Sequence, residues 1–383
     1  MEQNTKLKQN STEFGGSRYI LQNKQSSEEA PVQSGYISST NHSDKKKEVK
    51  KESDNHSKAA NVSKELLWGC YEYKKGSLSL ARKKASENIL KKMNCSRKLP
   101  EAWIIGVKKC GSQTLTGLLD LHPEIVTNLY LNDKNSMFLN ETEFKDTYSP
   151  WTRPDEMGLF SMVGLQNRPD VLGHVVRNLA TPATRYLLIL VDPVKRALSD
   201  YVHCTKIMKK PKFVHSFVTE RRLVWDGKLQ NYSHENVSLF KDTKIASTFE
   251  RSVFNLSGEL DIESGLIKRG VYSNSVEEIL KLVSRDKLLV IDGQKFVTQP
   301  WEVLSQTESF LNVSAFFSRQ HFLQQGSFFC PLVKERPDAD CIPGKGNKKP
   351  EVSPNVLREL KNFYRPYNRK LQILLGEKYS WMD

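Results

Sequence analysis

Two lysines, a glycine and a serine stand close together at Lys108, Lys109, Gly111 and Ser112. A lysine ammonium and a serine hydroxyl both donate hydrogen bonds to phosphate-like oxygens, and a glycine lets backbone N–H groups approach an anion. The nucleotide triphosphatase loop places its lysine directly after the last glycine, whereas Ser112 follows Gly111 here. The segment therefore predicts either a phosphate or sulfate site of another type, or an ordinary turn with solvated lysines.

The segments on either side predict the elements that would position these residues. Trp103 to Val107 is a short apolar run typical of a buried parallel strand. Apolar residues and a histidine then recur at helical spacing, at Leu115, Leu118, Leu119 and His122. A strand, a glycine-bearing loop and a helix in this order direct free N–H groups and the positive end of a helix dipole at one point. That arrangement suits an anion.

Similar alternation of strands and helices continues along the chain. Two further apolar runs predict buried strands, at Tyr186 to Val191 and at Lys287 to Asp292. Helical spacing over Val194 to Val202 predicts a helix after the first of these strands. Ile125 to Pro150 is irregular and predicts a loop-rich insert. We therefore expect an α/β fold with a central, mostly parallel sheet flanked by helices. The composition further predicts a disordered polar tail over 1–65, helical spacing predicts a linker or stem helix over 66–98, and globular character predicts one folded domain over 99–383.

The net charge and the cysteines indicate which class of partner the protein binds and which kind of compartment it occupies. The net charge is +14 and the pI about 9.3, which predicts an anionic partner such as a nucleotide, a polyanionic glycan, a nucleic acid or a lipid surface. Cys330 and Cys341 flank a short loop and predict a disulfide, which requires an oxidising compartment. Several Asn-x-Ser/Thr acceptor sequences agree with that compartment, although we find neither a signal peptide nor an apolar run long enough to span a membrane.

Two further segments favour anion binding, each beside a plainer interpretation. Arg196 and Ser199 lie on one face of the helix after the second strand and would hold a second phosphate, unless Arg196 instead pairs with Asp192 or Asp200. The flexible, basic segment Gly344-Lys345-Gly346 would close over an anionic ligand, although many exposed loops have the same composition.

Taken together, these segments resemble the heparan sulfate glucosamine 3-O-sulfotransferases, which have a P-loop-like sulfotransferase fold. The resemblance covers roughly residues 99–381, with a poor match between Ile125 and Thr184. It is carried by these segments in order: Ile105-Gly-Val-Lys-Lys-Cys-Gly-Ser-Gln113, Leu121-His-Pro123, Asp192-Pro193 with Arg196 and Ser199-Asp-Tyr201, Gly270-Val-Tyr272, Asp292-Gly293, Cys330 with Cys341, Lys345-Gly346, and Phe363-Tyr-Arg-Pro-Tyr-Asn368.

The resemblance implies that the chain binds 3′-phosphoadenosine 5′-phosphosulfate and transfers its sulfuryl group to a hydroxyl of heparan sulfate or a related glycosaminoglycan. It also implies a location in the Golgi lumen or on the Golgi membrane. The implied reaction requires no metal, and no nucleic-acid partner is implied. Lys109 would offset charge on the leaving bridging oxygen. Ser199 would hold the 3′-phosphate, and Lys345 with Gly346 would close over the nucleotide. The loop residues implied to contact the 5′-phosphosulfate are Lys109, Cys110, Gly111, Ser112, Gln113 and Thr114.

The chain departs from the family pattern where the family has charged groups. Gln113, Val191 and Asn347 replace three arginines, and the stretch aligned with the family's glutamate base contains no glutamate. Asp133 is the nearest carboxylate and our predicted base, with Glu141 and Glu143 as alternatives. Loss of a general base costs roughly 10²–10⁴-fold in rate.

Two other functions stay open at this stage. A catalytically weak or inactive member of the family would act as a polyanionic-glycan-binding protein through its basic surface. A nucleotide-dependent kinase is disfavoured, because no lysine follows Gly111 and no pair of metal-binding carboxylates is evident.

Overall fold

The computed structural model describes residues 66–73, 82–128, 139–208, 248–254, 257–326, 328–334 and 349–382. At its centre, five parallel strands form one sheet. These strands are β5 (Ala102–Gly106), β6 (Ile125–Asn128), β8 (Met157–Ser161), β9 (Arg185–Leu190) and β10 (Leu288–Asp292). Their order across the sheet is β10-β9-β5-β8-β6. The prediction of an α/β fold with a parallel central sheet is confirmed.

The central strands consist of apolar residues because both faces of the sheet are covered by helices. All five residues of β5 are buried, and Trp103 packs against Phe144 and Phe160 with ring centroids 5.8 and 4.8 Å away. The helices between and after the strands are α2 (Ser112–Leu119), α3 (Glu141–Tyr148), α4 (Pro169–Asn178), α5 (Pro193–Met208), α6 (Gly265–Lys268), α7 (Tyr272–Leu280), α8 (Gly293–Thr298), α9 (Pro300–Leu311) and α10 (Pro354–Leu375).

The remaining strands form small antiparallel sheets. β4 (Ser96–Arg97) pairs with β7 (Trp151–Thr152), and β11 (Phe322–Gln325) pairs with β12 (Phe328–Pro331). None of the helices in the described ranges is both long and apolar enough to cross a membrane.

The prediction of a linker or stem helix over 66–98 is wrong. This segment contains a three-stranded antiparallel sheet of β1 (Leu66–Trp68), β2 (Tyr71–Tyr73) and β3 (Arg82–Lys84), followed by the short helix α1 (Glu87–Lys92). Gly69, at a φ of +55°, makes the tight turn between β1 and β2, a backbone conformation that favours glycine. A disulfide joins Cys70 to Cys95 and fixes the segment, a pairing that the sequence analysis missed.

The predicted loop-rich insert also contains regular structure. Ile125–Asn128 is β6, an edge strand whose first three residues are buried, and Glu141–Tyr148 is α3, with the Asn140 side chain accepting a hydrogen bond from the Glu143 amide as its cap. Four residues are too few to show a strand period in the sequence. The tail over 1–65 lies outside the described residues.

Candidate active site

The candidate site lies at the edge of the sheet where β5, β9 and β10 end. Because these strands are adjacent and parallel, the loops that follow them meet at this edge. The Val107 amide, in the loop after β5, donates to the Ile189 carbonyl of β9 at 3.1 Å. Tyr272, the first residue of α7, donates from its hydroxyl to the Val191 carbonyl at 3.0 Å. Hydrogen bonds thus connect segments that are far apart in the chain.

The loop after β5 turns sharply into α2. Lys109 and Gly111 both have left-handed backbones, with φ of +73° and +105°. Gly111 is the N-cap residue and has no side chain, so no side-chain oxygen accepts from the first amides of α2. The first turn of a helix has N–H groups without intrahelical partners, and here they are left available to an anion. This is the geometry that the sequence predicted for Gly111 and Ser112.

The two lysines of the loop have different partners. Lys108 Nζ lies 3.4 Å from the Asp200 carboxylate, so Lys108 holds the loop against α5. Lys109 is half-buried and makes no hydrogen bond or ion pair with any other described residue. Burial lowers the pKa of Lys109 below its ordinary value; the Asp200 carboxylate opposes the shift, and the Lys108 charge adds to it. Lys109 is therefore the cation of the loop that a ligand can engage.

Asp200 is fully buried among three cations. Its Oδ2 accepts from Arg196 at 3.0 Å and from Arg269 at 3.2 Å, and its Oδ1 faces Lys108. Burial by itself would raise the pKa of Asp200, but the three positive charges outweigh it and lower the pKa to about 2. Arg196 has no exposed surface and also donates to the Leu266 carbonyl. The interpretation in which Arg196 pairs with an aspartate is thus the correct one, and Arg196 is not a phosphate ligand.

The other predicted site residues are placed as follows. Ser112 is buried at the start of α2, Gln113 is exposed, Thr114 is half-buried, and Ser199 is half-buried on α5 beside Asp200. Glu141 and Glu143 are exposed in the first turn of α3. Cys330 is in a disulfide, and its pairing with Cys341 stays a prediction. Asp133, Cys341, Lys345 and Gly346 lie outside the described residues.

Cys110 has an interior role. Its thiol lies 3.7 Å from the Tyr272 hydroxyl, and its amide donates to the Val107 carbonyl at 3.1 Å. Burial raises the pKa of this thiol to about 11, so it stays neutral. Because the thiol and the amide of Cys110 both contact other residues, we do not expect Cys110 to bind the ligand.

Comparisons with known proteins identify the family of this chain. The family model for a sulfotransferase domain matches residues 99–324, more than half of the chain. The chain belongs to the sulfotransferase family. It is 25% identical over 320 residues to heparan sulfate glucosamine 3-O-sulfotransferase 5 of Homo sapiens, covering 81% of this chain and 82% of that protein. It is 26% identical over 300 residues to heparan sulfate glucosamine 3-O-sulfotransferase 3B1 of Mus musculus, covering 75% and 66%.

Among solved structures, a sulfotransferase from Alicyclobacillus acidocaldarius aligns with a TM-score of 0.46 and 17% identity, covering 74% of this chain and 99% of that one.

This sulfotransferase has two further cations at the site that the sequence analysis did not single out. Lys195, in the first turn of α5, donates to the Gln294 side chain at 3.2 Å. Burial lowers the pKa of Lys349, and the nearby Lys195 charge lowers it further, with Asp192 opposing. Lys349 thus lies close to Lys195 and Asp192. Asp192 directly follows Val191, where the family pattern has an arginine. The run Lys348-Lys349-Pro350 was the available signal in the sequence, but only the fold brings Lys349 to α5.

Proposed function

We propose that this protein transfers a sulfuryl group from 3′-phosphoadenosine 5′-phosphosulfate to a hydroxyl of heparan sulfate or a related glycosaminoglycan. The observation that carries the proposal is Lys109: a half-buried cation without a partner among the described residues, in the loop between a buried strand and an uncapped helix N-terminus. Family membership and the two heparan sulfate sulfotransferases to which the chain is similar support the same reaction.

The residues present fit the donor. The free amides at the start of α2 and the Ser112 hydroxyl would bind the 5′-phosphosulfate, with Gln113 and Thr114 beside them. Ser199 would bind the 3′-phosphate, and Lys195 with Lys349 would supply positive charge that Val191 cannot. Lys345 and Gly346 remain predicted to close over the nucleotide. When bound, the donor supplies an activated sulfuryl group whose transfer requires in-line positioning and charge neutralisation.

Lys109 would neutralise the negative charge that develops on the bridging oxygen. Such a preorganised donor in a partly dry site is typically worth 10²–10³-fold in rate. The acceptor hydroxyl must also lose a proton, and Asp133 remains our proposed base, with Glu141 and Glu143 as alternatives.

The test is sulfate transfer from labelled donor to heparan sulfate by the wild type and by Lys109→Ala, with Lys281→Ala as a control. Lys281 is an exposed lysine paired with Glu278, away from the site. We expect Lys109→Ala to lose about 10²–10³-fold in kcat and Lys281→Ala to match the wild type. Asp133→Asn, Glu141→Gln and Glu143→Gln identify the base by the largest loss of kcat.

The proposal fails if the wild type transfers no sulfate. If it also shows no calorimetric binding of 3′-phosphoadenosine 5′-phosphate, the proposed donor site fails as well. Nucleotide binding without transfer would indicate an inactive member of the family.

The setting we propose is the Golgi, in its lumen or on its membrane. The Cys70–Cys95 disulfide supports this, because disulfides form and persist in oxidising compartments. Co-localisation of the tagged chain with a Golgi marker is the expected result, and a cytosolic distribution would contradict it.

A further inference from the structure

An open groove of about 580 Å³ lies away from the loop of Lys109. It is lined by Lys84, Cys95, Ser96, Arg97, Asp146 and Trp151. The lining strands β4 and β7 directly precede β5 and β8, so the groove lies at the edge where these parallel strands begin. The candidate active site lies at the opposite edge. At about 3.3 Å per residue, the five residues of β5 separate the two edges by roughly 16 Å.

The groove places two cations on one aromatic ring. Arg97 is directly opposite Trp151 in the β4–β7 pair, and its guanidinium carbon lies 5.4 Å from the ring centroid. Lys84 Nζ lies 4.8 Å from the same ring. The counter-charge of Lys84 is Glu87, at 2.6 Å, in a pair exposed to solvent that a ligand can exchange. The ring therefore holds two positive charges beside an open cleft.

Two N–H donors of the groove lack an acceptor. Arg97 Nε and Trp151 Nε1 are both buried and have no hydrogen-bond partner within the described part of the chain. Both groups are donors only, so what they need is an acceptor oxygen. A ligand rich in acceptor oxygens supplies it after a small rearrangement of the side chains that cover these atoms.

We propose that this groove binds an anionic saccharide, a sulfated or carboxylated sugar unit, at a distance from the transfer site. Sulfate or carboxylate oxygens would accept from Arg97, Lys84 and Trp151. Asp146 favours a saccharide over a polyphosphate, because its carboxylate accepts hydrogen bonds from sugar hydroxyls, which a polyphosphate does not have. The choice of a saccharide rests on the proposed function. A polymeric acceptor would reach both edges of the sheet, and the groove would hold one part of it while another part reacts.

The test is calorimetric binding of a size-defined heparin hexasaccharide to the full chain. Lys84→Gln/Arg97→Gln removes both groove cations, and Lys91→Gln/Lys98→Gln removes the same charge from two lysines outside the groove. We expect the groove variant to bind at least about tenfold more weakly, the effect of one charge-assisted hydrogen bond, and the control variant to bind within about twofold of the wild type. Trp151→Phe, which keeps a ring and removes the N–H, should also bind more weakly with unchanged thermal stability.

Equal binding by the groove and control variants would overturn the proposal, as would tighter binding of a phosphorylated peptide or a short RNA than of the hexasaccharide. The groove variant should bind 3′-phosphoadenosine 5′-phosphate like the wild type and show a raised KM for long heparan sulfate with unchanged kcat. If no acceptor is sulfated at all, the proposed function fails, and the hexasaccharide comparison still decides the groove.

Discussion

Replacement of the buried Asp200 by asparagine tests the charge cluster that holds the loop of Lys109. Asp200→Asn keeps the shape of the side chain and removes the negative charge that faces Lys108, Arg196 and Arg269. Its pKa of about 2, against an ordinary value of 3.8, corresponds to about 2 kcal/mol of stability from ionisation. The variant also leaves Arg196 buried without a counter-charge, which raises the expected loss to about 3–5 kcal/mol.

The assay is urea unfolding at neutral pH, with the free energy of unfolding compared at an unchanged m-value. Asp170→Asn is the matched control, because Asp170 pairs with Arg168 at 2.7 Å on an exposed surface. That control should lose no more than about 1 kcal/mol, since exposed ion pairs contribute little.

The pH dependence gives a second readout. A carboxylate with a depressed pKa contributes stability that is fully present above its unfolded pKa and is lost as the pH falls through its folded pKa. The difference between wild type and Asp200→Asn should therefore shrink by about 2 kcal/mol as the pH falls from about 4 towards about 2. Equal losses for Asp200→Asn and Asp170→Asn, or a difference that does not change with pH, would refute the reasoning.

Three other outcomes follow from the geometry. Joint replacement of Cys70 and Cys95 by serine should lower the free energy of unfolding by about 3 kcal/mol, measured in urea, because the bridge closes a loop of 25 residues; an unchanged value would contradict this. Gly293→Ala should lose about 1–3 kcal/mol and weaken nucleotide binding by calorimetry, because its Cβ would lie 2.6 Å from Val191 Cγ1, 2.8 Å from the Leu190 carbonyl oxygen and 3.0 Å from the Cys110 carbonyl oxygen; wild-type affinity would show that the loop of Lys109 does not move. Binding of 3′-phosphoadenosine 5′-phosphate should weaken as the pH rises through the lowered pKa of Lys109, since the anion favours the charged amine; Lys109→Arg should remove this dependence.

The central strands were predictable where the sequence is apolar without interruption. The runs at 103–107, 186–191 and 287–292 became β5, β9 and β10 within one residue at each end. β6 and β8 escaped prediction because a short strand among polar residues has no period to detect. The prediction of a stem helix was wrong because strand pairing among β1, β2 and β3, together with the Cys70–Cys95 disulfide, stabilises this segment more than its local helical spacing would.

The sequence by itself determined the strand, the glycine loop and the start of α2, because each depends on residues within a few positions of one another. Only the tertiary structure decided which lysine of that loop is available. Lys108 and Lys109 are chemically identical neighbours. Asp200, far along the chain on α5, engages Lys108, whereas Lys109 has no partner in the part of the chain that the structure describes. The groove at Trp151 arose in the same way, since β3, β4 and β7 come together only in the fold. A long-range ion pair or ring contact depends on which elements become neighbours, and the local sequence does not carry that information.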